Sequence, residues 1–543
     1  MQRFPILFVA LLLVAACDTE GGPSIDVGSG PDVVMTEDVP QVEDVPQVED
    51  VPQVPEIPYP ARELPFAFER QLDGEPIAAA DVTAFTNAVT GLWKDVDWFR
   101  WILRTSYGVD ASTGHDDYLA WHNDVFVEKS EGLVTFMQSG REHNMWIAGS
   151  KVLSQLINGY LLTGDWVMAK GAEQYCKGLS AVVKGFVWGE DDPAPYLMAR
   201  AILPMDQDYV LDEENWHDDG RRKAVNFTRA YVDEVGWNAE SFAWPENPTW
   251  GSIWITNMRS KDDVCAITRS TTWLHYAAND APDEFVREAC AETLELMIGF
   301  NKDIVEHDYE IRTKGRDGVA KIVEDQDLGS YNWYTFLDPR CECTARLATD
   351  MIAYGERLTN DCGDGDGGVF EEFATNAHDY NYPIVWDYHM AALGNALVHG
   401  QTSDALPLLE GLGDRMDRYM DPETDEPGAA SQEWQSDMAV LLVKAASMGL
   451  PLTAREARHV QAHWTQAVAD YAAFERWDLW DDAVPDGTYN RDDFRPRRSD
   501  EGIEIESLAM LMEYCNSPFK NPAGAQFIDC DIVADTGLWG GAD

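Results

Sequence analysis

Apolar residues recur along most of this chain at a spacing near 3.6, the period that lays a stripe along one face of a helix. From Asp81 to Arg104 the stripe is Phe85, Val89, Leu92, Val96 and Phe99. The clearest unit runs from Asn144 to Gly185. One helix ends near the Tyr160–Asp165 turn, and a second carries Val167, Ala172, Tyr175, Leu179 and Val183. A unit of similar outline spans Asp262–Ala278, a turn at Asn279–Pro282, and Asp283–Phe300. Two more pair Tyr388–Val398 with Ser403–Tyr419, and Gln435–Met448 with Thr453–Phe474 across Gly449–Pro451. Cys341–Leu358 and Glu504–Tyr514 add single helices. Turns this short make each pair an antiparallel hairpin. One β signal interrupts the pattern: Tyr309–Thr313 and Val319–Val323 flank a turn bounded by Gly315 and Gly318. Ala243–Trp254 and Tyr331–Tyr334 read as irregular aromatic stretches.

The first residues follow a different pattern. Arg3 precedes an apolar run from Phe4 to Ala16, shorter than the roughly 20 residues a membrane-spanning helix needs. The run ends in Val14-Ala15-Ala16-Cys17, which resembles the lipobox of bacterial lipoproteins. That resemblance implies cleavage after residue 16 and lipidation of Cys17. Its acyl chains would then enter a bilayer, each buried CH₂ contributing about 0.8 kcal/mol. An ordinary secretory signal with an incidental Cys is the alternative. Residues 17–58 are acidic, lack Lys and Arg, and hold three near-copies of Glu-Asp-Val-Pro-Gln-Val from Glu37, Glu43 and Glu49. Pro at every sixth position forbids a helix, and uncompensated charge forbids a core. The expected organisation is a signal peptide (1–16), an extended tether (17–58) and a helical domain (59–543). The protein would sit outside the cytoplasm on a lipid anchor. Asp18 resembles an inner-membrane retention signal, and which membrane holds the protein stays open.

The chain carries a formal net charge of −56, from 40 basic and 96 acidic residues. Phosphate binding needs a basic footprint, so nucleic acid is excluded as an expected partner. Direct docking on an anionic lipid surface is disfavoured for the same reason. Nine Cys are present, and eight remain once Cys17 is assigned to the anchor. An even number in an exported chain points to disulfides. The short loops favour Cys265 with Cys290, and Cys515 with Cys530. No Cys-x-x-Cys pair supports a zinc site.

Repeated helical hairpins separated by long loops, with a Leu-Thr-Gly-Asp turn after Tyr160, resemble the (α/α) toroid of many carbohydrate-active enzymes. The resemblance extends from Asp81 to about Tyr514 and rests on architecture and turn style, with no catalytic motif matched. It implies an all-α fold: an (α/α) toroid of helical hairpins with long aromatic loops and a minor β-hairpin. A tetratricopeptide-type superhelix would need an even repeat of about 34 residues, which the hairpin spacing does not follow.

In such a toroid the substrate funnel lies where the inner helices begin. Taking the first helix of each hairpin as inner, the polar residues there are Arg141, His143 and Asn144, then Arg259, Asp262 and Asp263. They continue with Asp387 and His389, then Glu433 and Asp437, then Glu504 and Glu506. Carboxylates at helix starts also serve as caps, contributing about 0.5–2 kcal/mol each. Glycoside hydrolysis needs two carboxyls roughly 5–9.5 Å apart, and Asp262 or Asp263 with Glu433 would serve, with Asp387 in reserve. Uronate elimination would use Arg141, His143 and Asn144 to neutralise the acid, with His389 or Tyr388 as base. Against it stands an acidic surface, which repels a polyuronate unless the cleft is locally basic or calcium-loaded. Trp250, Trp254 and Trp273, with Arg259 close by in sequence, suit the apolar faces of sugars; Trp also fills helical cores.

Asn360–Glu371 holds Asp361, Asp364, Asp366 and Glu371 in an order close to an EF-hand loop, with Cys362 where a ligand is expected. A calcium site and a Gly-rich turn stapled by Cys362 both fit. No organic cofactor is implied. The expected function is carbohydrate processing by hydrolysis on a lipid-anchored, polysaccharide-facing protein. The alternatives are a non-catalytic glycan- or protein-binding lipoprotein and a polysaccharide lyase.

Overall fold

Local chemistry sets the helix ends. Gly164, at φ +73°, donates its N–H to the Tyr160 carbonyl at 2.8 Å and turns the chain. Asp165 then accepts from the Met168 N–H at 2.7 Å, capping the next helix. The result is the hairpin α2 (Met145–Thr163) and α3 (Trp166–Lys184). The other expected pairs fold likewise: α4 (Lys261–Asp280) with α5 (Glu284–Glu306), α7 (Tyr382–Val398) with α8 (Thr402–Tyr419), and α9 (Gln435–Ser447) with α10 (Ala454–Ala472). Single helices are α1 (Ala79–Trp93), α6 (Glu342–Tyr354), α11 (Ile505–Asn516) and the short α12 (Cys530–Ala534). The computed structural model describes residues 57, 59–93, 125–130, 133–138, 145–204, 241–257, 261–315, 317–322, 342–358, 382–419, 435–472, 487–488 and 505–535. All belong to one compact unit. The signal segment, Cys17 and most of the tether lie outside the described residues.

The first helices of the hairpins run parallel to one another. Arg269 of α4 reaches Asp387 of α7 and Ser150 of α2. Further along α4, Thr271 meets Asn395 of α7 at 2.8 Å, and beyond its end Asp283 meets Tyr160 of α2. Contacts that advance together in both partners require parallel axes. Helix α2 also packs on α11, which packs on α9. The second helices lie outside this row: α3 covers α2 and touches α5, α5 covers α4, α6 sits against α5 and α7, α8 covers α7, and α10 covers α9. Asn395 and the Thr271 hydroxyl are buried, and such polar pairs fix register that apolar packing alone would leave loose.

One end of the row is covered. The segment after residue 57 crosses the turn end of the hairpins. Ala61 bonds the Val398 carbonyl, Tyr276 donates to the Ala61 carbonyl, and Arg62 pairs with Asp280. Further on, Arg70 makes a bidentate pair with the buried Glu456 at 2.8 Å on each arm, and Asp73 accepts from the Ala454 N–H. Helices α4, α7 and α9 begin at the opposite end.

Strand is more abundant than the single expected hairpin. That hairpin is present as β6 (Arg312–Lys314) and β7 (Ala320–Ile322). The stretch read as irregular forms β4 (Ser241–Asn247) and β5 (Gly251–Thr256), with β3 (Ala201–Pro204) on the other edge of β5. Its turn is organised by the Asn247 side chain, which accepts from the N–H groups of Thr249 and Trp250. A third sheet joins β1 (Val125–Ser130), β2 (Leu133–Gln138) and β8 (Gly487–Thr488), all antiparallel. The fold is therefore mainly helical, as expected, with small antiparallel sheets beyond the one expected hairpin.

Cysteine pairing follows one expectation and departs from another. Cys515 and Cys530 are joined, tying α11 to α12. Cys343 is also disulfide-bonded, to a partner outside the described residues. Cys290 does not meet Cys265; it lies against Cys176 of α3, with the two Sγ atoms 2.8 Å apart.

Candidate functional site

The interior of the parallel row holds charge. Each member sits five to nine residues past the first residue of its helix, about 8–14 Å deep at 1.5 Å per residue. Arg269 (α4) donates to Asp387 (α7) at 2.6 Å and to the Ser150 hydroxyl (α2) at 3.3 Å. Lys444 of α9 lies in the field of Arg269, Asp387, Lys151 and Glu513. Glu513 of α11 accepts from the Trp273 indole. Five helices thus converge on three cations (Lys151, Arg269, Lys444) and two carboxyls (Asp387, Glu513). Arg269, Asp387, Lys444 and Glu513 are each at most 8% exposed, so little water screens them.

Low polarity decides the protonation of two members. Burial pushes the Lys444 ammonium down to about 8, assisted by Arg269 and Lys151 and opposed by Asp387 and Glu513. Burial pushes Glu513 up, favouring its protonated form, while Lys444, Arg269 and the Trp273 N–H work against that shift. Among the described residues Lys444 acts on these neighbours through charge alone. Burial of an ion is costly unless it is paired and hydrogen-bonded, so a cation in that position is poised to take an acceptor from a ligand.

Of the residues singled out in the sequence, Asp387 and Trp273 are in this cluster. Asp387 is ion-paired; Trp273 is 1% exposed and serves as a wall and donor, so a sugar would not stack on it. His389 is two residues from Asp387 and therefore about 200° around the helix. It faces α8, where its Nε2 lies 2.9 Å from the Leu408 carbonyl, and burial lowers it to about 3. Asp262 and Asp263 are in the first turn of α4, two turns before Arg269. Trp250 is exposed at the β4–β5 turn, and Trp254 is in β5 opposite Leu203 and Ala243. Their neighbour Trp244 stacks on Trp188, ring centres 4.0 Å apart. Arg141, His143, Asn144, Arg259 and Glu433 lie outside the described residues, as does the calcium-type set Asp361, Asp364, Asp366 and Glu371. Among the described residues no group of three His, Cys, Asp or Glu is placed to hold a metal ion. No described helix is long and apolar enough to cross a membrane.

Sequence reasoning passed over Arg269, Lys444, Glu513 and Lys151 because it looked at helix starts. A signal was present for two of them: Lys444 and Glu513 are lone charges inside apolar helical runs, Met438-Ala-Val-Leu-Leu-Val-Lys444 and Leu511-Met-Glu513, whereas Arg269 lies among Thr268, Ser270 and Thr271. The chain matches no family model, no curated protein and no solved structure.

Proposed function

We propose that this chain is a lipid-anchored, extracytoplasmic carbohydrate-processing enzyme whose parallel helices close as an (α/α) toroid around the Arg269–Asp387–Lys444–Glu513 cluster. The observation that carries the reading is the presence of two unlike carboxyls in the one cluster around Lys444. Glu513 is biased toward its acid form by burial, and Asp387 is ion-paired to Arg269. Glycoside hydrolysis asks for that division of roles. Glu513 would protonate the leaving glycosidic oxygen, and Asp387 would take a proton from the attacking water. Substrate would enter where the inner helices begin, since the segment after residue 57 crosses the other end. Disulfides at Cys515–Cys530 and Cys343 agree with an oxidising compartment, and the anchor reading rests on the Val14–Cys17 pattern.

Elimination is the second reading, and Lys444 favours it: an amine lowered to about 8 is a competent base at mildly alkaline pH. One assay separates the two. The oxidised full-length chain is offered a panel of polysaccharides while reducing ends and unsaturated-uronate absorbance are followed together. Reducing ends without absorbance are expected. Glu513→Gln should lower the turnover rate by about 10²–10⁴-fold with an unchanged melting temperature. Both signals rising together would replace hydrolysis by elimination. Silence across the panel from folded protein would leave a glycan- or protein-binding lipoprotein.

A further inference from the structure

The charge balance of the cluster bears on what kind of sugar it takes. The whole chain has 56 more acidic than basic groups, yet its interior brings three cations together with two carboxyls. Asp387 answers Arg269 directly, and Glu513 is engaged by Trp273. Lys444, 8% exposed, has no hydrogen-bond acceptor among the described residues. A neutral sugar offers it hydroxyls; a carboxylate offers it an anionic acceptor, and charge-assisted bonds are about twice as strong as neutral ones. We infer that the site is built for an acidic sugar, a uronate whose carboxylate is received by Lys444 beside Arg269. This rests on the carbohydrate reading and deepens it. Arg269 and Lys444 would supply the local positive charge that a polyuronate needs against the acidic surface.

The test uses the full-length chain and titration calorimetry with uronate oligosaccharides (galacturonate, mannuronate and glucuronate types), their neutral methyl esters, and sulfated neutral oligosaccharides. The expected result is binding of a uronate at least about tenfold tighter than its ester, the size of one charge-assisted hydrogen bond. That preference should vanish in Lys444→Met and persist in Lys444→Arg. Equal affinity for acid and ester, in protein that still cleaves or binds neutral glycans, would overturn the uronate assignment and leave the carbohydrate reading standing. Preference for the sulfated ligand would also overturn it. Folded protein that binds no sugar at all would overturn both. The acid–ester comparison needs only the unmodified chain, so it decides the question even if the variants do not fold.

A separate observation concerns α3 and α5. Cys176 and Cys290 are fully buried, with sulfurs 2.8 Å apart, well inside the separation of two non-bonded sulfurs. The surrounding register is held by Ser180 with Thr293 at 2.9 Å and by the Thr293 hydroxyl on the Cys176 carbonyl. The geometry points to a Cys176–Cys290 disulfide. Two thiols lose two protons and two electrons to a protein disulfide donor, which leaves as a dithiol. Because both sulfurs are buried, this exchange precedes closure of the helix pair. Alkylation of the denatured full-length chain, purified from its native compartment, tests it by peptide mass. A linked Cys176–Cys290 peptide that appears as two alkylated peptides only after reduction is expected. Alkylation of both without reductant would overturn it.

Discussion

Burial holds the His389 imidazole neutral, and that has a measurable cost in acid. Its value of about 3 comes first from desolvation; Arg415 of α8 pushes the same way and the Leu408 carbonyl opposes. An unfolded histidine titrates near 6.5. Below that pH the unfolded chain binds a proton the folded one refuses, so stability falls as pH drops from about 6.5 toward 3. Between pH 7 and 5 the loss from this residue is about 2 kcal/mol, and it depends little on how far below 5 the folded value lies. His389→Gln keeps a donor for Leu408 and removes the titration. Its stability should change less between pH 7 and 5 than that of the parent chain, by denaturant melts at both values. Equal slopes would mean that His389 protonates in place. His399, also lowered by burial, adds a loss of the same sign in both proteins.

At the scale of elements, the row of first helices depends on how closely α4 and α7 approach. Gly394 faces Thr272 so tightly that a Cβ would overlap the Thr272 hydroxyl and methyl. Gly394→Ala is expected to destabilise by about 1–3 kcal/mol through overpacking, although alanine is the better helix former. Combining it with Thr272→Ala should recover part of the loss, a coupling that a double-mutant cycle reads directly. Additive effects would show that the helices simply move apart. The hairpins are legible in the sequence: Tyr160–Asp165, Asn279–Pro282 and Gly449–Pro451 carry turn residues between periodic stretches, and helix type follows from local spacing. The β3–β5 sheet was not, because Ala243–Trp254 alternates poorly and its turn depends on the Asn247 side chain reaching two backbone N–H groups.

For the whole molecule, a net charge of −56 means mutual repulsion across the compact state. Screening shortens that repulsion, since the Debye length falls from about 30 Å at 0.01 M salt to about 8 Å at 0.15 M. The melting temperature should therefore rise over that interval at pH 7, with most of the gain complete by the upper end. A falling melting temperature would show that pairs such as Arg70–Glu456 and Arg269–Asp387 outweigh the long-range term. The two are buried and are screened least, so the rise is favoured.

What the sequence determines here is everything that depends on near neighbours. The helical period, the turns, the Pro-rich acidic pattern of residues 17–58, the Val14–Cys17 pattern and the surplus of carboxylates are all properties of short windows or of composition. Which charges meet is decided only by tertiary structure. Lys151, Arg269, Asp387, Lys444 and Glu513 are spread over more than 350 positions, and each looks locally like an isolated charge on a helix. Parallel packing of five helices brings them to one level, and burial there, by removing water, turns ordinary side chains into an acid, a weakened base and an ion pair.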